Sequence, residues 1–197
     1  MNAWALLLLP ACYLLGSVSF AVLLVSWRYG KDIRTEGSGN AGATNVLRFH
    51  GRGLAALVAL LDVAKGTAAV LLARLVTADP RYAAAAGLAA ILGHVFPLYY
   101  GFRGGKGVAT AVGAFLALAP LAILACLGLF VVIVGVTRYV SLGSVVAIVL
   151  LPPAAGLFHA PRSVVFAAAV TAALVVFKHL ENLRRLARGQ ESRLGRQ

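Results

Sequence analysis

Acidic side chains are scarce in this chain: six Asp and Glu stand against 18 Lys and Arg in 197 residues, for a formal net charge of +12. Charge of either sign is thin, at 12% of residues, where a soluble domain carries roughly a quarter. With 61% hydrophobic residues and a mean hydropathy of +0.90, a single soluble domain has no means of hiding its apolar surface. The same figures exclude a disordered basic tail. There are only two cysteines, Cys12 and Cys126, and both fall inside apolar runs. That excludes a disulfide framework or a thiolate metal centre, and both read as small hydrophobes. His50, His94 and His159 have no Cys, Asp or Glu at metal-ligand spacing, so no metal is expected. No cofactor and no nucleic-acid partner is expected either. What remains is a small polytopic membrane protein with a basic aqueous face.

The first apolar run, Ala3–Trp27, has no Lys or Arg before it and is too long for the core of a signal peptide. It reads as a retained transmembrane helix. Further runs cover Leu54–Val76, Tyr82–Tyr100, Val108–Val136, Ser144–Phe158 and Ser163–Phe177. Val108–Val136 is too long for one span and carries Pro120, which breaks a helix at or just before itself. The run therefore divides into Val108–Ala119 and Leu121–Val136. The first piece, at 12 residues, is shorter than the about 20 needed to span. It should begin or end within the membrane or extend into its polar flank. The expectation is an all-α fold of seven transmembrane helices in one domain covering residues 1–197.

Orientation follows from the cations. The first, third and fifth connections and the C-terminal tail hold 14 of the 18 positive residues. The opposite side holds Arg74, Arg81 and Arg162, and Lys65 falls within a span. The positive-inside rule places the C-terminus in the cytoplasm and the N-terminus outside. No internal repeat is evident, and an odd helix count argues against a simple two-fold repeat.

Three connections carry unusual chemistry. The first contains Gly37-Ser38-Gly39-Asn40-Ala41-Gly42-Ala43-Thr44-Asn45. Its G-x-G-x-x-G spacing is not a dinucleotide site, because no strand or βαβ unit surrounds it. Glycines nevertheless expose backbone N–H groups, and Ser38, Asn40, Thr44 and Asn45 add side-chain donors, so the segment can wrap an oxyanion. A flexible polar turn explains the glycines but not four donors within eight residues. The third connection, Gly101-Phe102-Arg103-Gly104-Gly105-Lys106-Gly107, is not a Walker A loop, since Tyr100 and Gly107 stand where that motif needs Gly and Ser or Thr. It still sets a cation among glycines at a helix start. The fifth, Arg138 to Ser144, offers Ser141 and Ser144, which also suit ordinary N-caps.

Each of these segments precedes a helix running outward from the cytoplasm. Helix N-termini carry unpaired N–H groups and partial positive charge. With Arg48, Arg103 and Lys106 close by, they describe a phosphate-binding chamber on the cytoplasmic face. The last helix ends in Lys178-His179-Leu180-Glu181-Asn182-Leu183-Arg184-Arg185, where His179 and Asn182 share a face at i, i+3. Binding of anionic headgroups accounts for the arginines but less well for the His–Asn pair. Asp62 and Lys65, at i, i+3 inside a span, read first as mutual neutralisation.

Taken together, Gly37–Asn45, Gly104–Thr110 and His179–Asn182 resemble the bacterial acyl-phosphate:glycerol-3-phosphate acyltransferase family, in order and without gap or substitution. The resemblance extends along nearly the whole chain, including Gly16-Ser17 and Asp62/Lys65. It implies a seven-helix inner-membrane enzyme, active on the cytoplasmic side, that moves an acyl group from acyl phosphate to glycerol 3-phosphate and makes lysophosphatidate. By motif match, Ser38, Gly39, Asn40, Asn45, Arg48, Gly105 and Lys106 would serve phosphate. Ser144 would complete the site from the fifth connection, with Ser141 as its competitor. His179 and Asn182 would hold the glycerol and position its 1-hydroxyl, alongside Lys106 and Ser38 as catalytic groups. The partners implied are the two substrates and the bilayer, with a monomer expected.

The residues also bound the mechanism. Both cysteines lie in spans, which argues against a covalent thioester. Residues five beyond the histidines are Ala55, Tyr99, Val164 and Arg184, so the His-x4-Asp motif of acyl-CoA-dependent acyltransferases is absent. Positioning and electrostatic stabilisation of a good leaving group are left to carry the rate. His179 is the one neutral-pH base in the cluster, with orientation alone, or a substrate phosphate as base, as alternatives. A transporter for a phosphorylated solute would use similar residues but place them near mid-membrane, open to both faces.

Overall fold

The computed structural model describes residues 3–195, with side chains from residue 7 onward. Arg196, counted above among the cytoplasmic cations, lies outside them. The elements are α1 (Ala3–Ser17), α2 (Phe20–Tyr29), α3 (Ala43–His50), α4 (Arg52–Val76), α5 (Pro80–Val95), α6 (Val108–Leu118), α7 (Pro120–Thr137), α8 (Val140–Leu157), α9 (Arg162–Lys178) and α10 (Leu180–Ala187). Single 3-10 turns form at Ile33–Thr35 and Leu98–Tyr100, and no strand forms among the described residues. Helices are what such apolar runs must form in a bilayer, because hydrocarbon offers the backbone no partner and each segment has to satisfy its own N–H and C=O groups.

Five segments are long and apolar enough to cross a membrane: Leu7–Tyr29, Arg52–Val76, Pro80–Tyr100, Pro120–Thr137 and Val140–Leu157. Helices α9 and α10 qualify together but are bent by 56° at their junction, and Val108–Leu118 is apolar but short.

The chain forms two compact units, Met1–Ala117 and Leu118–Gln197. In the first, α1 lies along α5, and α4 packs against both. Small residues set these approaches. A Cβ at Gly16 would meet the Ala90 main chain, and one at Gly93 the Tyr13 carbonyl. Gly66 and Gly113 face the backbones of Thr110 and Val63 in the same way, bringing α4 against α6. Close backbone approach is the usual basis of helix association in lipid, where apolar burial gives no driving force. In the second unit α7 packs on α8 and α8 on α9, with α10 touching both α8 and α9. The two thiols are free and buried, as small hydrophobes should be.

Set against the sequence expectation at five places, the elements agree at one and differ at four. The first run is two helices, broken at Val18–Ser19. Ser19 Oγ accepts from Val22 N (3.5 Å) to cap α2, while the Val18 carbonyl accepts from Lys65 Nζ (2.7 Å). The division at Pro120 holds, with proline starting α7 in the first-turn position where its missing N–H costs nothing. Third, α8 starts at Val140 rather than Ser144, so Ser141 and Ser144 lie on the helix and neither caps it. Fourth, the glycine-rich segment runs into the short helix α3, not into the spanning helix α4. Fifth, the last helix breaks at His179, which ends α9 and begins α10.

Candidate active site

In the first unit, the glycine-rich segment is a constructed loop. Gly37 and Gly39 take positive φ (56° and 67°), which L side chains rarely adopt. Gly37 also leaves no room for a Cβ beside the Phe49 ring. Asn45 is buried and holds the loop together. Its Nδ2 donates to the carbonyls of Ile33 (3.2 Å) and Glu36 (2.9 Å), and its Oδ1 accepts from Ser38 N (3.3 Å). Both amide faces are therefore spent inside the loop, although Asn45 was expected to face phosphate. Gly42 starts α3, its carbonyl accepting from Asn45 N and Val46 N. Ser38 and Gly39 are exposed, and Asn40 and Arg48 are half-buried. Glu36 pairs with His50 (2.6 Å) and Lys31 (3.4 Å). The His50 contact chiefly, with help from Lys31, holds its carboxyl below the usual carboxylate range.

The third connection packs directly against the first. An added Cβ on Gly105 would lie 3.1 Å from the Ala41 carbonyl and collide with the His94 ring nitrogen Nε2. Gly105 N also donates to the His94 carbonyl (3.1 Å). Arg34 ties the same two connections together. It forks onto Asp32, with Nε–Oδ1 at 3.0 Å and Nη2–Oδ2 at 2.7 Å, and donates through Nη1 to the Tyr100 carbonyl (2.9 Å). Its hydrogen bond holds the Asp32 carboxyl below its ordinary value. Half-buried Lys106 follows Gly105, and buried Gly107 opens α6, its carbonyl accepting from Ala111 N (2.8 Å).

Beneath this loop pair sits a buried ionic group. Lys65 Nζ lies 2.8 Å from Asp62 Oδ1, and His94 Nδ1 lies 3.5 Å from the same oxygen. The expected pairing of Asp62 with Lys65 is present, and the histidine that Gly104 and Gly105 rest on lies against the same carboxylate oxygen.

The second unit holds the remaining candidates. His179 is buried, with Nδ1 2.8 Å from the Val175 carbonyl. A carbonyl only accepts, so Nδ1 carries the proton and Nε2 presents its lone pair in the neutral ring. Asn182 Nδ2 donates to Glu191 Oε1 (2.7 Å), and Ser141 Oγ donates to that oxygen as well (2.8 Å). Arg185 Nε donates to the other carboxylate oxygen, Oε2 (2.8 Å). Burial pushes the Glu191 carboxyl up, but the Asn182, Ser141 and Arg185 contacts outweigh it and leave it below its ordinary value. Ser144 Oγ donates to the Val140 carbonyl one turn back (2.8 Å), so donating to a phosphate requires its hydroxyl to turn.

Within the first unit, then, the structure brings the Ser38–Arg48 and Gly104–Lys106 segments side by side. Within the second, it links Ser141 to Asn182 through Glu191. Two residues escaped the sequence reading. His94 carried no motif, and its role appears only where two glycines approach it. Glu191 lay in a basic tail read as headgroup-binding, and its one signal was an acidic residue among arginines.

The chain is similar over most of its length to proteins of known type. Residues 6–189 match the family model described as glycerol-3-phosphate acyltransferase. Relatives of that name include one from Halorhodospira halophila, 48% identical over 183 residues, covering 93% of each chain. Another, from Geobacter sulfurreducens, is 47% identical over 189 residues, covering 95% of this chain and 96% of its own. Among solved structures, PlsY (YgiH), described as an integral membrane glycerol 3-phosphate acyltransferase in its glycerol 3-phosphate form, superposes with a TM-score of 0.92 at 40% identity, covering 97% of this chain and 96% of that one. Its lysophosphatidic acid form gives a TM-score of 0.88 at 38% identity, with 97% and 95% covered. With two glycine loops joined at Gly105, an asparagine held by the Glu191 carboxylate, and the family model matching residues 6–189, this chain belongs to the glycerol-3-phosphate acyltransferase family.

Proposed function

We propose that this chain transfers a fatty acyl group from acyl phosphate to the 1-hydroxyl of glycerol 3-phosphate, giving 1-acyl-glycerol 3-phosphate and inorganic phosphate. The observation that carries this is the seating of Gly105 against Ala41, which sets Lys106 and the Ser38–Asn40 donors on neighbouring loops. Backbone N–H groups and one cation on a pre-shaped loop pair suit a phosphate, and both substrates carry one. The named relatives and the two solved forms support the acceptor and the product.

The reaction needs no covalent intermediate. The glycerol 1-oxygen attacks the acyl carbonyl carbon, the bond from that carbon to the phosphate oxygen breaks, and phosphate leaves with its electron pair. Lys106, Ser38, Gly39, Asn40 and Arg48 stabilise the phosphate charge, while Asn45 acts indirectly by shaping the loop. The hydroxyl proton passes to His179 Nε2, the ring nitrogen left basic by the Val175 contact. Asn182 and a serine of α8 hold the glycerol. The chain works as one catalytic domain, as a monomer, without metal or cofactor.

In the same proposal the protein crosses the bacterial inner membrane seven times, with its N-terminus outside and its C-terminus and active site cytoplasmic. The five long spans, α6 and α9 make up that number, leaving α3 and α10 at the surface. Helix α10 carries Arg184 and Arg185 in its last turn, which suits an anionic headgroup layer.

The test is direct. Purified protein in detergent, given acyl phosphate and glycerol 3-phosphate, should form lysophosphatidate and release phosphate in equal amounts. Turnover with acyl-CoA only, or no turnover from folded protein, would overturn the proposal.

A further inference from the structure

His94 sits in the last turn of α5, beneath the two glycine loops, and its surroundings give it a definite task. The imidazole is buried, and its Nδ1 faces Asp62 Oδ1, the oxygen that Lys65 also holds. An imidazole nitrogen turned to a carboxylate carries its proton there, and the opposite nitrogen, Nε2, points to the third connection. The base around the ring is fastened to α1 and to the α1–α2 break. Lys65 Nζ donates to the Val18 carbonyl (2.7 Å), the Tyr13 hydroxyl donates to the Phe96 carbonyl (2.7 Å), and Leu98 N donates to Ser17 Oγ (3.3 Å).

The third connection rests on this base through both backbone and ring. Gly105 N donates to the His94 carbonyl (3.1 Å), and a Cβ on Gly104 would strike that same carbonyl. A Cβ on Gly105 would meet Nε2 and Cε1 of the ring on one side and the Ala41 carbonyl on the other. The imidazole edge thus fills the space that a side chain at position 105 would need. Lys106 is next in the chain, so the seat of Gly105 sets where its backbone stands beside Ser38–Asn40. Mutual neutralisation explains Asp62 and Lys65 as a pair. It does not explain a third titratable ring on the same oxygen, or two glycines laid against that ring. We propose that His94, oriented by Asp62, is a positioning residue whose imidazole seats the Gly104–Lys106 loop against Ala41 and so places the phosphate-binding groups of both loops. This rests on the acyl transfer proposed above, and it makes an ion pair inside the spans the foundation of the site.

Shape makes this role testable. Asparagine at position 94 keeps a nitrogen where Nδ1 stands, able to donate to Asp62, but puts nothing in place of Nε2 and Cε1. His94→Asn therefore opens a hole under the loop, and Gly105→Ala sets a methyl group into that hole. The Ala41 carbonyl then has to give by only a few tenths of an ångström. Each change alone should displace the loop, and the two together should compensate. The experiment measures acyl transfer, its inhibition by inorganic phosphate and the melting midpoint for wild type, both single variants and the double variant. Loss of folded protein lowers the apparent kcat and leaves the inhibition constant alone, so that constant reports the loop. The expected result is a phosphate inhibition constant raised about tenfold in each single variant. In the double variant it should return to within about threefold of wild type, the non-additivity of two groups in contact. A double variant whose constant is no lower than in either single variant overturns the inference, as does a wild-type constant in folded His94→Asn. If a single variant does not fold, the double variant decides: a folded protein with the restored constant supports the inference, and an unfolded one or a raised constant overturns it. Wild-type protein that transfers no acyl group overturns the acyl-transfer reading and this inference with it, whereas an active wild type without compensation overturns this inference alone.

Discussion

Asn45 and Ser38 are joined across seven positions by a hydrogen bond from the Ser38 backbone to the Asn45 side-chain oxygen, 3.3 Å long, while the Asn45 nitrogen reaches back to Ile33 and Glu36. One buried amide thus defines the glycine loop from inside. Asn45→Ala takes away the acceptor of the Ser38 N–H, at about 1–3 kcal/mol if that group stays dry. It also takes one of the two donors on each of the Ile33 and Glu36 carbonyls, which keep the Glu36 and Gly39 N–H groups. The expected outcome is faster hydrogen exchange across residues 36–42 and a rise in KM for both phosphate-bearing substrates. Unchanged exchange there would show that the loop is held by other means.

Gly105 gives a sharper steric test. Its α-hydrogen side faces the His94 ring and the Ala41 carbonyl, so Gly105→Ala forces one loop away from the other. Overpacking of this kind costs about 1–3 kcal/mol. Turnover should fall more than the melting midpoint does, because Lys106 moves with the loop. Gly128→Ala serves as the control, since nothing lies within 4 Å of its Cβ direction.

His179 should show its chemistry in the pH profile. With Nδ1 committed to the Val175 carbonyl, Nε2 accepts a proton only while the ring is neutral. His179→Gln should lower kcat about 10²–10⁴-fold and remove the limb of the profile that belongs to the imidazole. A variant that keeps the limb assigns the base to a substrate phosphate and leaves His179 an orienting role.

The Asp62–Lys65 pair makes a thermodynamic prediction. Removing one partner leaves a charge buried alone, which costs about 3–5 kcal/mol, whereas replacing both with apolar groups is often neutral. Asp62→Ala should therefore destabilise more than Asp62→Leu combined with Lys65→Met. Melting curves in one detergent decide it, and equal losses would mean the pair carries no mutual energy.

Acid should loosen the tail before it touches the spans. The folded Glu191 carboxyl sits below its ordinary value, so its contribution is present above the unfolded carboxylate value of about 4.3 and is lost as pH falls through the folded one. Proteolysis of residues 188–195 should be slow at pH 7 and speed up below about pH 4. Glu191→Gln should be cleaved at a rate independent of pH over that range. Wild-type tail release near neutrality would contradict this.

Much of the architecture could be read from hydropathy, because lipid forces long apolar runs into helices whatever their side chains are. Pro120 marked its break correctly, since proline acts through its own missing N–H. The break at Val18–Ser19 was invisible, because it depends on Lys65 some 47 positions away reaching a carbonyl. The α8 start was misplaced because Ser141 and Ser144 have cap-like identities, and their hydroxyls turned instead to Glu191 and Val140. Local motifs pointed to the two glycine loops. The support for those loops, from His94 and Asn45, is tertiary and left no local trace.

The pairing of α1 with α5 also has a consequence for how the protein is made. Gly16 and Gly93 each need the other helix's backbone, yet 77 residues separate them in the chain. At roughly 5–20 residues per second, translation leaves a gap of about 4–15 seconds between them. During that interval the first helix rests in the bilayer with its small-residue groove filled by lipid. It must then exchange those acyl chains for α5, so the groove is a docking site during biogenesis before it becomes a buried seam.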